Sequence, residues 1–403
     1  MSTNGITKKA AKIIQSNIKS FTMIIALLII WLFFTILTKG IFLKAQNLSN
    51  LFRQMTIISF LALGMVLVIV TNNIDLSVGS VVGFISAIAA ALQAYILPDI
   101  LPNMFPHLSI LQLSLLSTTI TIIVSILMGF LIGLFQGALI AYLGIPAFIV
   151  TLGGMLIFRG GVLGITMGKT IVPIESTLVY IAQGYQSEIT GLVIAVIVIV
   201  VIFISMLWNR KQKAMYGFKL RPLYLDLLTA AFFSVLVLVY VIYVANGYRG
   251  FQNPVLLLAI IAVIFSYVST NTRFGRYCYA LGGNLEATRL SGVNIKKNVF
   301  LVFILMGVLC SVAGIVLTGY VAAGTIGGGK DYELTTIASC IIGGTSFSGG
   351  IGTIFGAIVG SLVMASLENG MSVMNMDIFW QYIVKGLVLI AAVYVDVASK
   401  KKA

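Results

Sequence analysis

Charge is what this 403-residue chain has least of: Asp, Glu, Lys and Arg make up 9% of it, against about 25% in soluble domains. Hydrophobic residues make up 60%. No soluble fold of this size can hide so much apolar side chain beneath a polar surface, so a soluble domain is excluded. Acids are scarcest, with 11 in all. They are Asp75, Asp99, Glu175, Glu188, Asp226, Glu286, Asp331, Glu333, Glu368, Asp377 and Asp396. Almost all sit at the ends of apolar runs, and only Asp75 falls in a break between two runs with no aqueous loop beside it. A proton-coupled carrier keeps several intramembrane carboxylates as a relay despite their cost. No such relay is evident, and the single histidine, His107, lies in a short Pro-flanked loop.

Cysteine is nearly absent as well. Cys278, Cys310 and Cys340 are scattered, with no Cys-x-x-Cys, which supports neither a disulfide framework nor a zinc site. No H-E-x-x-H, G-x-S-x-G or paired catalytic carboxylates occur. Gly164-Ile-Thr-Met-Gly168-Lys169-Thr170 has one residue too few between its glycines for a phosphate loop and follows an apolar span rather than a strand. The Gly350–Gly356 segment misses the dinucleotide spacing by one. No catalytic residue and no metal ligand is therefore assigned, and the chain does not read as an enzyme on its own.

What is present is long apolar runs, with a mean hydropathy of +1.10. Crossing a bilayer takes about 20 apolar residues. Runs near that length cover Phe21–Leu37, Thr56–Val70, Leu76–Leu97, Ile110–Leu143, Ala147–Met167, Gly191–Leu207, Leu223–Ala245, Val255–Ser269 and Val299–Ala323. The tail Leu334–Val397 is apolar but interrupted. The first run lacks a small-residue cleavage site and is followed by many more, so it reads as the first helix and not as a cleaved signal peptide. The expected fold is an all-α integral membrane protein, a polytopic bundle of about 10–12 transmembrane helices with some broken or re-entrant. The 40 glycines suit close helix approach in lipid.

Most of the 25 basic residues, and hence the net charge of +14, fall in four clusters. These are Lys8, Lys9, Lys12 and Lys19; Arg210, Lys211, Lys213, Lys219 and Arg221; Arg273, Arg276, Arg289, Lys296 and Lys297; and Lys400, Lys401 and Lys402. Each flanks an apolar run. That is the positive-inside pattern, not a nucleic-acid surface, so all four are expected in the cytoplasm. Residues 1–20 then form a cytoplasmic segment and residues 21–398 the membrane domain. Cytoplasmic loops follow near 208–222 and 271–298, with a basic cytoplasmic tail at 399–403. Both termini on one side require an even number of crossings. Breaks at Gly343–Gly352 and Asn369–Asp377 favour three crossings in the tail, giving about twelve, or ten if some runs are re-entrant.

Two breaks stand out: Thr71–Ser80 (TNNIDLSVGS) and Gly343–Thr353 (GGTSFSGGIGT). Non-helical backbone at membrane depth is tolerated only where protein or water satisfies it, and transporters build substrate paths from such broken helices. A plain surface loop is the other reading of each. The cytoplasmic loop Asn271–Asn298 carries a second signal. Asn284 can cap a short helix through Glu286, Arg289 and Leu290 that ends at Ser291-Gly292. Such a helix offers apolar and basic groups to the cytosol, as a docking element does; a solvated connector is the alternative.

This loop resembles the permeases of carbohydrate-importing ABC transporters of the ribose/galactose/xylose class. The likeness rests on Gly275, Arg276, Ala280, Gly282, Gly283, Asn284, Glu286, Ala287, Arg289, Leu290, Ser291 and Gly292. Ile74-Asp75-Leu76-Ser77-Val78-Gly79-Ser80, Gly343-Gly344-Thr345-Ser346 and Gly349-Gly350-Ile351-Gly352 are similar to the family as well. Phe148–Leu152 through Phe158-Arg159-Gly160, Met364–Ser372 and Phe379–Gly386 lean towards its xylose-type members, as does the extra stretch near Arg210–Ala245. The likeness runs from about Ile41 to Asp396.

The resemblance implies the permease subunit of an ATP-binding cassette importer that carries a monosaccharide, with D-xylose favoured, across the bacterial cell (inner) membrane. It implies a homodimer in the lipid bilayer. An extracellular or periplasmic sugar-binding protein would deliver substrate, and a cytoplasmic ATPase subunit would hold the ATP and Mg, so no cofactor belongs to this chain. Asn284, Glu286 and Arg289 would help dock that ATPase, with Gly282 and Gly283 shaping the turn. Sugar hydroxyls need neutral donors and acceptors, which Asn72, Asn73, Ser77, Thr345 and Ser346 supply at the breaks near Gly79. Asp75 is expected to cap the following helix rather than touch sugar. Trp380 and Tyr382 are read as part of the aromatic belt at the membrane interface ahead of a contact with sugar. An ion-coupled or passive small-solute transporter or channel is the alternative function.

The charge pattern makes a direct prediction. Topology reporters fused at residue 1, at Tyr216 and after Ala403 will all report the cytoplasm, and one at Pro106 will report the opposite side.

Overall fold

The computed structural model describes residues 18–218 and 220–400. The expectations for residues 1–17 of the N-terminal segment, for Lys219 and for residues 401–403 of the tail lie outside the described residues. Helices account for nearly everything else. They are α1 (Ile18–Leu37), α2 (Ala45–Val70), α3 (Val78–Ala91, continuing through a wide turn at Leu92–Ile96 into Leu97–Met104), α4 (Ile110–Ala141) and α5 (Ala147–Thr166). Then come α6 (Ser176–Gln183), α7 (Glu188–Met215), α8 (Leu223–Val239, running on through Tyr240–Ala245) and α9 (Asn253–Asn271). The last are α10 (Arg273–Gly283), α11 (Leu285–Leu290), α12 (Ile295–Val321), α13 (Tyr332–Ile342), α14 (Ile354–Val373) and α15 (Ile378–Lys400). Among the described residues, ten helices are long and apolar enough to cross a membrane, and Met23–Leu37 and Tyr332–Ile342 are shorter apolar helices. Helix dominates because lipid offers no partner to backbone N–H and C=O groups, and a helix satisfies its own.

The apolar runs locate these helices but understate their ends. Thr56 was the expected start of the second span, yet α2 begins at Ala45. Its first turns carry polar side chains that protein groups satisfy. Asn47 donates from Nδ2 to Phe42 O and Asn369 Oδ1, both at 2.8 Å, and Gln54 Nε2 donates to Tyr320 Oη at 3.2 Å. Helix starts follow ordinary capping chemistry. Ser109 and Gln112 form a reciprocal capping box at α4, and Asn294 Oδ1 takes the Lys297 N–H at α12.

Contacts across the bundle give each helix its direction. At one end the C-terminus of α2 meets the α10 region and the second break, with Gly350 N donating to Val70 O. The clusters around Arg210 and Arg273–Lys297 belong to connectors at this basic end. At the far end Asn47 meets Asn369, and Ser114 Oγ donates to Glu175 Oε2 at 2.8 Å. A two-stranded ribbon there, β1 (Tyr185–Gln186) with β2 (Phe251–Gln252), ties the connectors before α7 and α9 together. After α12 the chain does not simply turn and cross. Residues 324–329 run back along α3, from Ala90 at Gly324 to Gly79 at Gly329, before α13 begins.

The centre of the bundle is α2, α3, α4 and α12. Over its most apolar window α2 is 89% buried, whereas α7 is 11% buried and α15 not at all. The α7–α8 pair is thus a peripheral addition, joined at its basic end by the Arg210–Asp226 ion pair. Close approach replaces hydrophobic drive as the packing force. Gly129 of α4 and Gly307 of α12 face each other so tightly that a Cβ on Gly307 would lie 2.1 Å from Gly129 O. Thr318 Oγ1 is 2.9 Å from Ser86 Oγ where α12 crosses α3.

This crossing predicts a penalty with no polar change. Gly307→Ala must push two backbones apart, an overpacking cost of about 1–3 kcal/mol. It will lower the unfolding midpoint in detergent, while Gly153→Ala on an open face of α5 will hold or raise it, since alanine is the better helix former.

Candidate functional site

Two glycine-rich segments and the end of one helix converge at the basic end. Helix α10 is capped by Thr272, whose Oγ1 accepts the Gly275 N–H at 3.2 Å. Its inner face is Gly275, Cys278 and Leu281, all buried at threefold spacing, which pins the helix beneath the bundle. Burial pushes the Cys278 thiol up to about 12, so it stays protonated and unreactive. Arg276 and Ala280 face outward.

The glycines of the loop act differently from the expectation. Gly282 and Gly283 do not shape a turn; they lie in the last helical turn of α10. Gly282 is needed for approach: a Cβ there would sit 1.7 Å from Val70 O and 2.4 Å from Gly350 N. Gly350 stacks against Gly283, with φ +73°. Tyr279 Oη donates to Gly352 O at 3.0 Å. The cytoplasmic-type loop and the second break are therefore in direct backbone contact, both resting on the end of α2.

Beyond Gly283 the chain presents α11, and the expected cap is there. Asn284 Oδ1 accepts the Ala287 N–H at 2.9 Å, and the helix stops at Ser291 with Gly292 at φ +78°. Leu285, Glu286, Arg289 and Leu290 are exposed, Leu290 at 81%. A six-residue helix that leaves two leucines in the open is held by its caps and its neighbours, not by a core of its own.

Each break is closed by a buried aspartate. Asp75 Oδ1 accepts from Ser77 N at 2.8 Å and Ser77 Oγ at 2.7 Å, immediately before α3. This is an Asx-type turn and not the expected cap: Ser77 is the N-cap of α3, and among the described residues no side chain bonds the first N–H groups of that helix. Gln136 of α4 completes the cluster, its Nε2 donating to Ser77 Oγ at 3.0 Å. In the second break, Asp396 of α15 accepts from Phe347 N at 3.2 Å and Ser346 Oγ at 3.3 Å. Ser346 N bonds back to Ile351 O at 2.8 Å. Thr345 is fully buried beside Gly352 and Val70.

The candidate path residues do not form one surface. Asn73 donates from Nδ2 to Thr71 O at 3.0 Å, and Asn72 is an exposed turn residue with φ +62°. Gly79 is interior, packed on Gly329 O and the Glu333 carboxylate. Asp75, Ser77, Thr345 and Ser346 are enclosed by protein. Trp380 stands apart. It sits in the first turn of α15, exposed, 16 residues from Asp396 on the same helix, or about 24 Å at 1.5 Å per residue.

Two buried acids escaped sequence reading. Glu333 and Asp396 are 8% and 7% exposed, although their position beside run ends suggested solvent. Only their distant neighbours, Gly79 and the second break, enclose them. Glu368 also pairs within the bundle, accepting from Lys385 Nζ at 3.1 Å.

Helices long and apolar enough to span a membrane, interrupted by two glycine-rich breaks and carrying an exposed capped loop at one end, form the frame of a multi-pass transport permease. The chain belongs to the family described as branched-chain amino acid transport system / permease component, whose model matches residues 47–245 and 192–393. It is 40% identical to the xylose transport system permease protein of Haemophilus influenzae, over 97% of this chain and 99% of the relative. It is 32% identical to the galactose/methyl galactoside import permease protein of Salmonella typhimurium, over 88% and 87%. To the ribose import permease protein of Escherichia coli it is 30% identical, over 93% and 92%. No solved structure matches.

The contact at Gly282 yields a test. Gly282→Ala will displace α10 from Val70, and cysteine-specific labelling of Cys278 in the folded protein will rise from near zero. Gly283→Ala, whose Cβ would meet nothing within 4 Å, will leave Cys278 protected.

Proposed function

We propose that this chain is the membrane-spanning permease subunit of an ATP-driven importer that carries a monosaccharide, D-xylose first among them, across a bacterial cell membrane. The observation that carries this reading is the 40% identity to a xylose permease across nearly the whole of both chains. The basic end is the cytoplasmic end, with residues 1–20, the loops near 208–222 and 271–298, and residues 399–403 on that side. The exposed helix α11, with Asn284, Glu286 and Arg289, docks a separate ATPase subunit that binds and hydrolyses ATP with Mg. A sugar-binding protein delivers substrate at the far end, and two copies of the chain form the pore.

The mechanical logic follows from the contacts described. A push on α11 reaches α10 across Asn284. From there it passes without intervening side chains into Val70 and Gly350, because three backbones touch. Both breaks flank that point, so movement of the docking loop is movement of the broken helices.

Co-reconstitution decides the matter. Vesicles holding this chain with its ATPase and binding protein will accumulate xylose only with ATP, at least tenfold above vesicles holding the chain alone. Full uptake by the chain alone would instead make it a passive or ion-coupled carrier. Glu286→Ala combined with Arg289→Glu will strip the ATPase from the purified complex without lowering the yield of folded permease.

A further inference from the structure

The segment between α12 and α13 is out of place for a lipid-facing surface. Residues 324–329 run beside the first half of α3 without forming a helix. The segment's backbone is held by a bridge between Gly324 and Ile171 and by short turn bonds from Gly328 N to Thr325 O, Lys330 N to Gly327 O and Tyr332 N to Gly329 O. Ile326, Gly327 and Lys330 are nevertheless exposed, and nothing lies within 4 Å of where a Cβ on Gly327 would be. Irregular backbone at this depth is tolerated only under protein or water.

The side chains beside it are just as unsuited to lipid. Arg159 sits past the midpoint of α5, half-buried, and donates from Nη1 to Gly328 O at 3.2 Å. A guanidinium has five N–H donors, and an arginine in mid-span marks a polar path by default. Lys330 and Lys385 place their ammonium groups 5.8 and 5.2 Å from the Tyr382 ring centroid. Lys385 pairs with Glu368, and Asp331 follows Lys330. The face thus mixes three cations, Arg159, Lys330 and Lys385, with two anions, Asp331 and Glu368, so charges of both signs stand along it. A small cavity of about 90 Å³ opens here, with Asp331, Thr335, Tyr382 and Lys385 on its polar side and Leu334, Ala338, Met364 and Leu389 on its apolar side. Dry protein contact on this face would leave exposed charges without water, at a heavy desolvation cost.

We infer that the seam between α5 and α15, floored by residues 325–331, is the water-lined wall along which the sugar passes, with Arg159, Lys330 and Tyr382 as its polar contacts. The wetness of the seam stands on the structure alone; that sugar uses it rests on the importer reading. An aromatic ring flanked by charged donors and acceptors is suitable for a polyhydroxylated ring, which offers C–H groups on its faces and hydroxyls at its edge. The seam replaces the enclosed residues of the two breaks as the surface that touches substrate.

The test uses the full chain in membranes. Gly327→Cys and Lys330→Cys place thiols on the seam; the three native cysteines are buried. A charged methanethiosulfonate reacts with thiolate in water and does not reach thiols facing lipid. Both seam positions will label at least tenfold faster than Val263→Cys, on an exposed apolar face of α9. In the complete reconstituted assembly, labelling Gly327→Cys will cut ATP-driven xylose uptake at least tenfold, while treating Val263→Cys changes nothing. Labelling at 327 and 330 no faster than at 263 overturns the wet seam and leaves the importer reading intact. Fast labelling with unchanged uptake overturns the assignment of the seam to sugar. If the unlabelled assembly takes up no sugar with ATP, the importer reading fails, and the labelling rates still decide whether the seam is wet.

Discussion

The last carbonyl of α2, at Val70, is the point on which the rest of the architecture depends. A helix that ends inside protein must give its free carbonyls partners or pay the desolvation cost. Val70 O receives the Gly350 N–H, and Gly282 passes so close beneath it that no side chain fits. Meeting one backbone requirement thus brings three distant parts of the chain together: the most buried helix, the α10–α11 loop and the second break. Any larger residue at Gly282 would separate them. The permease has a rigid junction here because glycine allows backbone to contact backbone.

The same requirement explains where the scarce acids went. Each break leaves N–H groups without helical partners, and one buried aspartate serves each. Asp75 satisfies Ser77 from within its own break, while Asp396 reaches Phe347 and Ser346 from another helix. A carboxylate accepts several hydrogen bonds at once, so a single residue closes an irregular turn. These acids are structural at the positions where a relay would otherwise be sought.

Centre and periphery do different work. Helices α2, α3, α4 and α12 pack through glycine and small hydroxyl residues into an interior that would not tolerate added volume. The α7–α8 pair hangs outside it with few buried residues. Helix α15 is open along its apolar window yet supplies Asp396 to one break and Tyr382 and Lys385 to the seam. Exposure in this bundle therefore does not mean idleness, since the most open helix pairs Lys385 with Glu368 and closes a break with Asp396.

Hydropathy by itself determined that the chain crosses a membrane many times, because only lipid accommodates so much apolar surface. The lysine and arginine clusters fixed which connectors share an end, since charge stays in water. Asn284, Ser291 and Gly292 announced α11, because capping is local chemistry that neighbouring residues decide. Nothing local could reveal that Gly282 touches Val70, that Asp396 closes a turn fifty residues earlier, or that Glu333 is buried beneath Gly79. Those contacts join residues far apart in the chain and come from packing, which has no sequence period. The position of residues 324–329 is of the same kind. As a sequence it is a glycine-rich linker, and only its place against α3 and beside Arg159 makes it a candidate wall of the pathway.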